Sequence, residues 1–176
     1  RYAYVANISD NNISVVDISN PSSPAQVSTV SVGTGPQSVY VSGRYAYVAN
    51  LGSDNISVVD ISNPSAPVQV ATTSVSVSPG SIYVSGQYAY VTNHTSDSLS
   101  VVDISNPSAP VQVATTSVGN GPQSVYVSGR YAYVVNGEPG SEGLPGSISV
   151  VDISNPSAPV QVATTSVGSI PISVFV

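Results

Sequence analysis

Asp17, Asp60 and Asp103 stand 43 residues apart, and each opens the same run, Asp-Ile-Ser-Asn-Pro-Ser. A fourth copy opens at Asp152, 49 residues further on, so the last unit carries a six-residue insertion. The surrounding stretch, Val58 to Val75, reads VVDISNPSAPVQVATTSV and returns with small edits at Val15, Val101 and Val150. This period divides the chain into units 1–43, 44–86, 87–129 and 130–176, with no residue left over. Self-similarity at such a spacing restricts the fold to a solenoid, a propeller or a related array, in which no unit buries its apolar faces alone. Residues 1–176 are therefore read as a single repeat domain.

Each unit holds four alternating or β-branched runs separated by clusters of Gly, Pro, Asn and Ser, the pattern of short strands at regular spacing. In the second unit these are Tyr45 to Asn50, Ile56 to Ile61, Val68 to Val75 and Ser81 to Ser85, and no helical period occurs anywhere. Along the first run Tyr45, Tyr47 and Ala49 face one side while Ala46 and Val48 face the other. Both faces are apolar, so both need cover. Small four-stranded antiparallel sheets covered on both faces are the blades of a β-propeller, and the expected fold class is all-β of that kind. The run Ser38 to Asn50 reads as a hairpin whose Gly43 supplies the positive φ of a tight turn. Its first strand is expected to be the innermost of a blade and its second the next one out.

On this assignment the chain starts, at Tyr2 and Tyr4, on a second strand. It stops at Ser173, Val174, Phe175 and Val176, which match Ser38 to Val41, an innermost strand. The C-terminal strand is therefore expected to complete the first blade, either within the chain, closing a four-bladed ring, or between chains. The second route gives a two-chain ring or a filament, according to whether the rotation closes.

Charge limits the partners. Only 7% of residues are charged, against about 25% in ordinary soluble proteins, Lys is absent, and the net charge is −6. Nucleic acids and anionic membrane surfaces need clustered Lys or Arg, so neither is an expected partner. With no cysteine there is no disulfide framework and no thiolate ligand or nucleophile. No apolar run reaches about 18 residues, so membrane insertion is not expected. A Lys-free surface rich in Ser, Thr and Asn, and a first residue Arg1 in place of Met, fit an extracellular or cell-surface location.

The runs Arg44 to Asn50, Ala89 to Asn93 and Gly33 to Val39 resemble the YVTN propeller repeat. Val15 to Pro21 and its copies resemble the related LVIVD repeat. The resemblance covers all four units and implies secreted and surface-layer proteins of archaea and bacteria with no common catalytic residue set. Propellers of these families usually have about seven blades, whereas four is the low limit for the fold.

Asp17, Asp60, Asp103 and Asp152 form either a ring of carboxylates for Ca²⁺ or, as expected here, four copies of a carboxylate accepting the N–H groups of its own Asn-Pro turn. Two loop types vary from unit to unit, and in a blade they emerge on one face, the place for specific recognition. That face carries Asp10, Asp54, His94, Asp97, Glu138 and Glu142. His94 is the only histidine, no G-x-S-x-G elbow is present, and no loop has the spacing of a Ca²⁺ hand. No cofactor, metal or catalysis is expected. Asn7, Asn12, Asn55 and Asn93 open N-x-S/T sequons and are possible glycosylation sites. The eleven tyrosines recur at fixed places, which assigns them to blade packing rather than to a carbohydrate platform. The expected role is structural or adhesive, through self-assembly; the alternative is a closed monomer binding a glycan or a surface protein on its variable face.

Overall fold

The computed structural model describes residues 1–137 and 143–176, so Glu138 and Glu142 lie outside the described residues. The strands run in chain order as β1 (Tyr2–Asn7), β2 (Asn12–Asp17), β3 (Ala25–Ser31), β4 (Pro36–Ser42), β5 (Tyr45–Asn50), β6 (Asn55–Asp60), β7 (Val68–Ser74) and β8 (Pro79–Ser85). They continue as β9 (Tyr88–Asn93), β10 (Ser98–Asp103), β11 (Val111–Ser117), β12 (Pro122–Ser128), β13 (Tyr131–Asn136), β14 (Ser147–Asp152) and β15 (Val160–Ser166). Neighbours pair antiparallel in sequence order, which gives three four-stranded blades, β4–β7, β8–β11 and β12–β15, and one three-stranded blade, β1–β3. The all-β propeller arrangement is thus present, with the expected strand order.

Local chemistry explains the repeat. Gly43, Gly86 and Gly129 take φ values of 59°, 59° and 60° in the tight turns from first to second strand, a region that costs other residues dearly. At the same end of the blade, where the third strand stops, the Asp side chain closes its turn. Asp17 Oδ1 accepts the Ser19 N–H at 2.8 Å, and Asp60, Asp103 and Asp152 do the same for Ser62, Ser105 and Ser154 at 2.9, 2.8 and 2.9 Å. In every blade the pairing of third and outermost strands slips by one residue, opposite Val15, Val58, Val101 and Val150 respectively. Such a bulge raises local twist and makes the outer edge a poor template for another chain.

The core lies between blades. Ile13 of the first blade packs with Ala46, Val48 and Val59 of the second. Tyr47, Ile56 and Val58 pack with Val84, Val91 and Val102 of the third, and Leu99 and Val101 with Val127, Val134 and Val151 of the fourth. Each blade therefore presents its valine face (Val48, Val59 and their copies) to the previous blade and its isoleucine face (Ile56, Val58 and their copies) to the next. The inner strands β4, β8 and β12 lie close together while outer strands barely touch across blades, so the blades fan out from one side.

The two ends break the pattern. Val48, Val91 and Val134 are fully buried, but their equivalent Val5 is 46% exposed. At the other end Ile148 and Val150 are only half-buried, whereas Ile56, Leu99, Val58 and Val101 are fully buried. Ser173 to Val176 form no strand, and β1 has β2 as its only paired neighbour. Of the two expected routes to a complete first blade, closure within the chain is therefore not realised. The uncovered faces at the two ends are those that a closed ring would press together.

Candidate functional site

The variable loops do share one face. Between blades, each linker is held by the hairpin loop before it and the hairpin loop after it. Asn11 Oδ1 accepts the Gly35 N–H at 2.9 Å, Asp54 Oδ1 accepts that of Ser78 at 2.8 Å, and Asp97 Oδ1 accepts that of Gly121 at 2.8 Å. On the far side, the N–H groups of Leu51, His94 and Gly137 donate to the carbonyls of Gly35, Ser78 and Gly121 at 2.9, 2.8 and 3.0 Å. Asn11, Asp54 and Asp97 also take positive φ, 53°, 49° and 47°, a conformation that Asn and Asp tolerate because their short side chains bond locally. One side chain thus turns its own loop and clamps the next linker.

This places the acidic loop set in a structural role. Asp54 and Asp97 are latches, and their counterpart in the first unit is Asn11, one place beyond the exposed Asp10. His94 contributes its backbone to the clamp and is half-buried. In the fourth unit Gly146 stands at the latch position, and Ile170 occupies the left-handed position of Gly35, Ser78 and Gly121, with φ 50°. A β-branched side chain is strained there. Among the described residues no three His, Asp or Glu side chains are placed to hold a metal ion.

The turn carboxylates are all held below their usual range. Arg44 donates to Asp60, whose pKa falls to about 2 through that bond and those from Ser62. Asp17 and Asp103 are lowered by hydrogen bonds from Ser19 and Ser105, and Asp152 by those from Ser154 with help from Arg130 at 2.8 Å. Arg44 and Arg130 also lie over the rings of Tyr45 and Tyr131, at 5.2 and 5.0 Å from the centroids. Each carboxylate belongs to its own blade, so the ring of Ca²⁺ ligands is not assembled.

Sequence reasoning missed a buried polar post that ends each second strand. Asn50 Nδ2 donates to Asn55 Oδ1 at 2.8 Å and Ser57 Oγ at 2.9 Å, while Asn93 Nδ2 donates to Ser98 Oγ at 3.1 Å and Ser100 Oγ at 2.9 Å. Asn136 repeats the arrangement with Ser147 and Ser149, and Asn7 with Asn12 and Ser14. The signal was available: a polar residue closing every Tyr-Ala-Tyr-Val-x-Asn strand at fixed register, with Ser two places into the next strand. This corrects the sequon reading at Asn93. Its side chain is 0% exposed and its Nδ2 is engaged with two serines, so the folded chain has no room for a glycan there. Asn7, Asn12 and Asn55 are half-buried, with Asn7 donating to Asn12 and Asn55 accepting from Asn50.

Two surfaces among the described residues could receive a ligand or partner. One is a cleft of about 330 Å³ on the loop face of the last blade, lined by Gly119, Asn120, Asn136, Leu144, Ser147 and Ile170 among others. The other is a row of aromatic rings along the inner strands. Tyr40 lies 4.9 Å from Tyr83, Tyr83 lies 4.9 Å from Tyr126, and Tyr126 lies 5.0 Å from Phe175. Phe175 is 86% exposed, at the place of an inner-strand tyrosine in a fifth blade.

The model of the LVIVD repeat matches residues 1–32, 35–75, 78–117 and 121–166, one match per unit. The chain belongs to the LVIVD repeat family. No curated protein matches it. Among solved structures this LVIVD chain is similar to hydrazine synthase of Kuenenia stuttgartiensis, at 24% identity and a TM-score of 0.78, over 95% of this chain and 46% of that one. It is similar to the periplasmic gluconolactonase of Pseudomonas aeruginosa, at 21% identity and a TM-score of 0.80, over 97% and 56% of the two chains. A putative 6-phosphogluconolactonase from Bacteroides uniformis gives 17% identity and a TM-score of 0.81 over the same shares. At these identities the likeness concerns the fold, and the LVIVD chain spans about half the length of the structures it matches.

Proposed function

We propose that this LVIVD chain is a non-enzymatic structural or adhesive element of an extracellular or cell-surface assembly, built by association of the chain with copies of itself. One observation carries the reading. The outermost strand of every blade exposes valine, as Val27 at 39%, Val68 and Val111 at 57% and Val160 at 56% show. Apolar exposure repeated in this way supports an interaction surface. The low-charge composition and the Ser-, Thr- and Asn-rich surface support the location. The use of Asp54 and Asp97 as backbone latches, and of the four turn aspartates in their own turns, leaves these carboxylates committed to structure rather than to acid–base work.

Sedimentation of the purified chain across a hundredfold concentration range tests the assembly, which is expected to gain mass as concentration rises. Hydrolysis of gluconolactone, followed beside an enzyme-free control, tests the non-enzymatic part; a rate well above that control sinks it. A second reading, a binding module for a glycan or a surface protein, draws on the cleft beside Asn136 and Ile170. A glycan array tests it, and binding that is lost when Leu144 is replaced by Asp would favour it.

A further inference from the structure

We propose that the tyrosines of the inner strands form a built-in site of oxidative cross-linking, at which Tyr83 couples covalently to Tyr40 or Tyr126 and locks adjoining blades together. Tyr40, Tyr83 and Tyr126 stand 43 residues apart on β4, β8 and β12. Each ring centroid lies 4.9 Å from the next, with the planes tilted at 52° and 53°, near the short end of the ~4.5–7 Å over which aromatic pairs touch. Among the described residues no other two tyrosine rings are paired in this way.

Composition directs oxidation to this row. Cysteine, methionine and tryptophan are all absent, while tyrosine occurs eleven times. Cysteine and methionine are the usual sinks for oxidants, so a one-electron oxidant meets phenols first. Tyr47 and Tyr90 are 3% exposed and pack in the core, whereas Tyr40, Tyr83 and Tyr126 are half-buried, open to a small oxidant yet held by their blades. The hydroxyl ends converge. Burial raises the pKa of Tyr83, on which the hydroxyls of Tyr126 and Tyr40 also act, the first lowering it and the second raising it. Tyr126 is raised chiefly by its hydrogen bond with Tyr83. The Ile82 N–H donates to Ser38 Oγ at 3.4 Å, so the inner strands that carry the rings are tied across the blade boundary.

A phenoxyl radical carries its unpaired electron on the oxygen and on the ring carbons ortho to it. Removal of one electron and one phenolic proton from each of two neighbours therefore sets two radicals side by side with their reactive edges together. They join through a new carbon–carbon bond between Cε atoms, and the hydrogen on each joined carbon moves to its oxygen, which restores two phenols. The net loss is two hydrogen atoms. Hydrogen peroxide, acting through a diffusible one-electron oxidant, accepts the two electrons and two protons as it becomes two waters. Each coupling uses two rings, so the row gives one link per chain; Phe175, 5.0 Å from Tyr126, has no phenol and takes no part. The link joins residues 43 apart and needs no second chain, so it stands or falls separately from the assembly reading.

Photoexcited ruthenium tris-bipyridyl with persulfate tests this in dilute solution; persulfate takes the same two electrons to become two sulfates, and the protons pass to buffer. The expected product runs at the 17.8 kDa of one chain, is lighter by two hydrogens, shows dityrosine fluorescence, and maps on digestion to Tyr83 joined with Tyr40 or Tyr126. Tyr83→Phe keeps the ring, with the fold checked by circular dichroism, and is expected to lower the one-chain yield at least tenfold. Tyr40→Phe combined with Tyr126→Phe leaves Tyr83 without a partner and is expected to do the same, while Tyr2→Phe, at an exposed position, leaves the yield unchanged. A link mapped to other tyrosines, dityrosine confined to species of two-chain mass, or a yield indifferent to these substitutions overturns the proposal. The linked chain is expected to melt roughly 5–15 °C higher, as closing a loop of this length in the unfolded chain predicts, and an unmoved midpoint overturns the locking of blades.

Discussion

Replacing the same valine in each blade by alanine turns the open arrangement of the ends into a measurable profile. Val5, Val48, Val91 and Val134 occupy the same register of the second strand, and their exposures are 46% for the first and 0% for the other three. Val→Ala removes two methyl groups, about 1.6 kcal/mol of transfer free energy at ~0.8 kcal/mol each. Where the site is sealed, as between Ile56, Val58 and Val91, a cavity contribution is added, and the total becomes about 2–3 kcal/mol. At Val5 roughly half the transfer term survives and no closed cavity forms, so the cost is about 0.5–1 kcal/mol. Urea unfolding at protein concentrations low enough to keep the chain monomeric reads this directly, with the slope monitored because repeat arrays can unfold piecewise. The expected order is Val48, Val91 and Val134 together, and Val5 lower by about 1.5–2 kcal/mol. Equal costs at all four positions in the dilute chain would refute the reasoning, since they would mean that the valine face of the first blade is sealed within one molecule.

Asp97→Ala is expected to cost about 1–2 kcal/mol, because it leaves the Gly121 N–H without its acceptor and puts alanine at a φ of 47°; Asp97→Asn should retain most of the stability in the same melts. Asn93→Ala strands the buried Ser98 and Ser100 hydroxyls and is expected to cost about 1–3 kcal/mol, and mass spectrometry of chain expressed in a glycosylating host should find Asn93 unmodified. The melting temperature is expected to stay level between pH 5 and 8. The turn carboxylates bind protons less readily folded than unfolded, so their contribution is lost as pH falls through about 4 towards the Asp60 pKa of about 2. Tyr90, pushed up to about 12 by burial, keeps its proton longer in the folded chain, so its contribution is lost as pH rises from about 10 to 12. A midpoint that moves by many degrees between pH 5 and 8 would overturn this assignment.

The strands, their order and the uniform turns were legible because they depend on near neighbours. Alternation fixes which face a side chain takes, Gly43 and its copies mark turns that glycine enters cheaply, and Asp two places before the Ser of Ser-Asn-Pro closes its own turn. A repeat multiplies each of these weak local signals by four. The same alternation showed that both faces of a blade need cover, but which face meets which neighbour depends on the rotation from blade to blade, and no local pattern records that. The choice between closure within the chain and between chains was open for the same reason: Ser173 to Val176 match an inner strand equally well in either arrangement.

The loop face was misread at the level of single residues, and the reason is instructive. Asp10, Asp54 and Asp97 look like one acidic set, yet strict application of the 43-residue period places Asn11, not Asp10, with Asp54 and Asp97. Asn and Asp share the two properties that the position requires, tolerance of positive φ and an oxygen that accepts the N–H of the next linker. The charge is incidental to that role, so variation between Asn and Asp reads as recognition only while the backbone is out of sight. The fourth unit makes the converse point. With Gly146 in place of the latch, the fourth linker is held by backbone, the Gly146 N–H donating to the Gly168 carbonyl at 3.1 Å, and Ile170 takes a conformation that suits glycine.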